Sequence, residues 1–74
     1  MKIKSLNANQ TEVSLSNDTV VFVSYETPVA AYVPEKGIVV TDKKYSKTTS
    51  KHINQWVGGA QTVTLPQSFF DELI

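Results

Sequence analysis

The chain of 74 residues contains no cysteine, no arginine, one histidine and one methionine. Without cysteine there is no disulfide framework and no thiolate metal site. Without arginine the bidentate reading of guanine edges has no donor. One histidine and no cysteine exclude a Cys–His pair. A Ser-His-Asp set can be drawn from the composition, but nothing in the sequence arranges it. There is no nucleophile elbow, no Walker loop and no G-x-G-x-x-G. A metal would need His52 plus carboxylates, and the acids nearest to it in sequence are Asp42 and Asp71. No catalytic residue, no metal site and no cofactor is therefore expected. Net charge is also lacking, since seven lysines balance seven acids. That argues against a simple polycation coating nucleic acid and against an acidic disordered tail. No apolar run approaches the roughly 18 residues of a membrane span, and no signal peptide is recognisable. The expectation is a cytoplasmic protein without a membrane partner.

What is present suggests one small α+β domain over residues 1–74. Apolar residues make up 41% of the chain, enough for a thin core at a size where folding buries only about 60% of the unfolded surface. Thr11, Val13 and Leu15 alternate with Glu12 and Ser14, the period-two pattern of a half-buried strand. Asn17-Asp18 marks a turn. Thr19 to Tyr25 is almost continuously apolar, as in a central strand covered on both faces. Pro28 opens a strand over Val29 to Val33, Pro34-Glu35-Lys36-Gly37 has tight-turn chemistry, and Ile38 to Thr41 forms a further strand. Met1 to Leu6 is a weaker candidate, with Lys2 and Lys4 suited to an edge. Beyond Lys43 the period changes. Ile53, Trp56 and Val57 have the spacing of one helix face, which predicts a helix over Thr48–Val57. Thr48 is its expected N-cap, and Gly58-Gly59 its stop. Gln61 to Leu65 alternates as a last strand, and Pro66 opens a short helical turn. The expected architecture is a mainly antiparallel sheet of about five strands, one principal helix on one face and a short C-terminal helical turn.

Charge is unevenly placed. Residues 1–42 hold three lysines and five acids, residues 43–70 hold four lysines, one histidine and no acid, and residues 71–74 hold two acids. Helix N-termini favour Asp or Glu, yet this one is surrounded by lysine and hydroxyls. Local misfits of that kind tend to fall at functional sites, and free N–H groups, hydroxyls and ammonium groups together suit an anion. Lys44, Tyr45, Thr48, Thr49, Ser50, Lys51, His52 and Asn54 are the candidate ligand-binding residues. The alternative is a capped helix with a solvated basic face. For Trp56 the expectation is core. For Tyr25, Tyr32 and Tyr45, sheet covering and a binding surface both remain open.

Two stretches carry a family resemblance. Phe22-Val23-Ser24-Tyr25-Glu26-Thr27-Pro28-Val29-Ala30 is followed by Tyr45-Ser46-Lys47-Thr48-Thr49-Ser50-Lys51-His52-Ile53-Asn54-Gln55-Trp56. The pattern resembles a family of small proteins of unknown function encoded by tailed bacteriophages, over residues 20–58. The resemblance implies a phage protein acting in the bacterial host cytoplasm and marks Thr48, Thr49, Ser50, His52, Asn54 and Trp56 as motif positions. It implies no activity. Three functions compete. One is a non-enzymatic binding protein, such as a counter-defence factor, whose partner is a host protein or a phosphate-bearing small molecule. Another is a nucleic-acid binder using the basic segment 43–52. The third is a homo-oligomeric structural or virion component.

Overall fold

A computed structural model describes residues 2–7 and 9–73. Met1, with which the expected first strand began, and Ile74, the end of the expected domain, lie outside the described residues. The elements are β1 (Lys2–Asn7), β2 (Gln10–Ser14), β3 (Val20–Ser24), β4 (Thr27–Val33), β5 (Gly37–Thr41), α1 (Lys47–Val57), β6 (Val63–Leu65) and α2 (Gln67–Asp71). The architecture is α+β, and the six strands among the described residues lie in the order in which they occur along the chain. Neighbours are antiparallel from β1 through β5, joined by short turns, whereas β6 runs parallel to β5. A parallel return needs a crossover, and α1 supplies it.

Strand alternation divides the core between the two faces of this sheet. Val13, Val21, Ala31 and Val39 are register partners in one row across β2 to β5. They form a buried cluster with Phe70 of α2, flanked by Leu65, Phe69 and Leu73. The row on the other face holds Glu12, Phe22, Ala30 and Val40. There Phe22, Val29 and Ala30 pack with Ile53 and Trp56 of α1. Val21 and Phe22 are neighbours in β3 and both are fully buried. The continuous apolar run from Val20 to Val23 is thus a central strand with a helix on each side.

Turn chemistry sets the register. Asp18 takes a positive φ of 64°, and the Asn17 side chain accepts from the Thr19 amide at 3.3 Å. Gly37 has φ 81°, a conformation glycine adopts at no steric cost. Pro28 is the second residue of its strand rather than the first. It sits where the β3–β4 register shifts, and an irregular pairing tolerates the missing N–H. β1 is an edge strand, and its Ile3 extends the buried Val13 row to a position 69% exposed.

At one end of the sheet Gln67 ties α2 to two strands. Its amide donates to the Pro28 carbonyl at 2.8 Å and its oxygen accepts from the Thr41 hydroxyl at 2.7 Å. The same Thr41 oxygen accepts from the Lys43 amide at 3.2 Å. This fixes the exit of β5 and so aims the segment 43–46 toward α1.

Candidate functional site

The first turn of α1 differs from the expectation by two residues. Its N-cap is Ser46, not Thr48: the backbone there is extended, with φ −94° and ψ 167°, and its hydroxyl accepts from the Thr49 amide at 3.1 Å. Thr48 lies inside the first turn. Ser46, Thr48 and Thr49 are all capping-competent by composition, and only the extended backbone before Lys47 selects among them. Gly58 ends the helix in the left-handed conformation, φ 67°, its N–H bonded to the Asn54 carbonyl at 3.1 Å. The stop is where Gly58-Gly59 placed it. Replacing Ser46 with alanine should cost about 1 kcal/mol of stability by orphaning the Thr49 N–H. A urea midpoint unchanged in Ser46→Ala would contradict that cap.

Moving the helix start changes which residues share a face. Lys47, Ser50, Lys51 and Asn54 follow three- and four-residue spacing. With Lys44, Tyr45, Ser46 and Gln55 they line an open groove of about 640 Å³ on the side of α1 away from the sheet. Three lysines, three hydroxyl residues and two carboxamide residues line this groove, and among the described residues no carboxylate lines it. The first turn of α1 contains no acid. The N–H groups of Lys47 and Thr48 belong to the first helical turn and have no partner within the helix. Lys43 lies just outside, its Nζ 5.3 Å above the Tyr45 ring. Partial burial, followed by the Asp71 carboxylate, raises the Tyr45 pKa from its ordinary value of 10.0. The phenol therefore remains a neutral donor at any physiological pH.

The eight expected site residues are split by the helix. Lys44, Tyr45, Ser50, Lys51 and Asn54 meet in the groove. Thr49 and His52 turn toward the sheet instead and are 5% and 9% exposed. Thr48 is exposed but does not line the groove. Ser46, Lys47 and Gln55 line it without having been among the expected residues. The signal for Lys47 was available as its four-residue spacing to Lys51, but was hidden by the misplaced cap.

His52 belongs to a second constellation. Its Nδ1 lies 3.0 Å from the Ser24 hydroxyl in a buried contact, and Ser24 is 2% exposed. The imidazole ring is 5.9 Å from the Tyr25 ring at an interplanar angle of 31°. Tyr25 itself has φ 59°, which for a side chain of this bulk costs roughly 1–2 kcal/mol. One turn further along α1, Trp56 stacks on Phe22 with centroids 5.2 Å apart and planes 16° apart. Its indole N–H donates to the Glu12 carboxylate at 2.8 Å. Among the described residues no group of three or more metal-ligating side chains occurs, and no helix is long and apolar enough to cross a membrane.

Fold and groove define a small α+β protein whose crossover helix presents a basic, hydroxyl-rich start to solvent. The chain belongs to a family of unknown function, DUF8033, whose sequence model matches residues 1–72. The matched residues include the edge strand β1 and the helix α2. No curated protein and no solved structure matches the chain.

Proposed function

We propose that this is a non-enzymatic binding protein that holds a phosphate-bearing ligand in the groove over the start of α1. One observation carries the reading: Lys44, Lys47 and Lys51 converge with Ser46 and Ser50 on a single groove that no carboxylate lines. Three lysines on one groove favour an anion there, and the adjacent helix start adds partial positive charge. The groove volume of about 640 Å³ falls within the usual range for small-molecule sites, about 300–1,000 Å³. Asn54 and Gln55 on its wall offer both donors and acceptors to the uncharged part of a nucleotide. The resemblance to tailed-phage proteins suggests the setting. There the protein acts in the bacterial host cytoplasm as a counter-defence factor, sequestering a phosphate-bearing signal or docking on a host protein through the same anion chemistry.

A thermal-shift panel of mono-, di- and cyclic nucleotides, with a short duplex DNA as comparator, tests this. A ligand present at a hundred times its Kd adds about 2.7 kcal/mol, on the order of 10 °C in Tm for a domain of this size. No shift with any nucleotide at millimolar concentration would sink the reading. A shift with duplex DNA alone, lost between low and moderate salt, would replace it with backbone binding through the lysines.

A further inference from the structure

A second cleft lies at the end of the sheet where the β1–β2 and β3–β4 turns meet. It measures about 570 Å³ and is lined by Asn9, Tyr25, Glu26 and Thr27. The two turns are joined by the Tyr25 amide, which donates to the Asn9 carbonyl at 2.7 Å. Both residues at this junction are non-glycine positions with positive φ, 62° at Asn9 and 59° at Tyr25. Two-residue hairpin loops with positive φ at the first position ordinarily use glycine there. Here the position is occupied by a tyrosine that remains 49% exposed, its ring leaning on His52 at 5.9 Å. His52 is fixed in turn by its 3.0 Å contact with Ser24. The strained turn thus puts Tyr25 and Glu26, neighbours in sequence, on one cleft wall with Asn9 and Thr27.

We propose that this cleft receives a guanidinium group, the arginine side chain of a partner protein. Guanidinium has five donors and no acceptor. It stacks on aromatic faces and pairs with carboxylates in a planar fork. Tyr25 supplies the face, Glu26 the carboxylate, and Asn9 and Thr27 supply oxygen acceptors. No lysine lines the cleft, and this chain has no arginine of its own to fill it. The cleft is separate from the basic groove, since His52 faces the sheet while the groove lies on the outer side of α1, so neither assignment depends on the other.

Titration of the intact protein with N-acetyl-arginine methylamide, followed by amide chemical shifts, tests the assignment. Saturable shifts are expected at Asn9, Tyr25, Glu26 and Thr27, with a Kd on the order of millimolar. The capped citrulline analogue, equal in shape but uncharged, should give none. Glu26→Gln changes an exposed residue and should weaken binding by roughly tenfold through loss of a charge-assisted pair. Tyr25→Gly relieves the backbone while removing the ring, and should abolish saturation with the rest of the amide spectrum unchanged. Absence of saturable shifts with capped arginine, equal shifts with capped citrulline, or undiminished binding by Glu26→Gln would overturn the guanidinium site. Tighter binding of free arginine than of the capped form would overturn its assignment to a protein side chain.

Discussion

Trp56→Ala is expected to lower stability by about 3 kcal/mol, the low end of the range for truncating a large core aromatic, because Trp56 is half-buried against the core rather than within it. At about 0.05–0.15 kcal/mol per residue, a chain of this length has only about 4–11 kcal/mol in total. The variant should therefore lose a large share of its stability and melt well below the parent. The structure identifies three losses. The stack on Phe22 at 5.2 Å disappears, worth about 0.5–1.5 kcal/mol beyond burial. The 2.8 Å bond to Glu12 disappears, worth about 1.5–3 kcal/mol for a charged acceptor, and less here because the pair is only partly buried. The face of Phe22 beneath is opened to water. Trp56→Phe separates the first two: it keeps a ring over Phe22 and loses the indole donor, so it should recover more than half of the loss. Urea titrations of the three proteins provide the comparison. A Trp56→Ala protein as stable as the parent would show that α1 is held to the sheet by something other than this contact.

The second large effect separates binding from folding. In the double variant Lys44→Glu, Lys51→Glu, two of the three groove lysines become carboxylates. Both side chains are exposed, and exposed charge changes usually move stability by no more than about 0.5 kcal/mol. Position 51 is the fifth residue of α1, past its first turn, so an acid there gains little from the helix start. The variant should therefore keep its Tm. Affinity for a phosphate-bearing ligand should fall at least a hundredfold, the loss of two charge-assisted contacts at about 1.5 kcal/mol each. Calorimetric titration with the ligand that gives the largest thermal shift measures this directly. Retained affinity together with retained Tm would leave the basic face a solvated surface.

The sequence made some of this legible because periodicity is a local property. The apolar run Val20–Val23 announced a strand buried on both faces, and Ile53 and Trp56 announced the sheet-facing stripe of α1. Lysine at positions 2 and 4 announced the edge. Strand direction was not legible, since alternation at Val63 and Leu65 is the same in either sense and only the crossover by α1 makes β6 parallel. The inner face of α1 was half hidden for a related reason. Thr49 and His52 are polar, so an apolar stripe omits them, and the residue that satisfies His52 is Ser24, 28 positions away. The site was legible as a charge imbalance but not as a surface. A cap two residues earlier than expected rotates Thr48 out of the groove and brings in Lys47. Tyr25 was legible only as an aromatic that covers the sheet or binds, since a positive φ at tyrosine has no sequence mark.

On the proposed function, the outer face of the α1 start accepts phosphate and the sheet side does not. Amide chemical-shift mapping with inorganic pyrophosphate tests it most directly, because the probe carries the anion and nothing else. Saturable shifts are expected at Ser46, Lys47, Thr48, Ser50 and Lys51, fading as salt is raised, with Ser24, Tyr25 and His52 unmoved. Shifts centred on Tyr25 and His52, or no saturable shift at all at low salt, would contradict it.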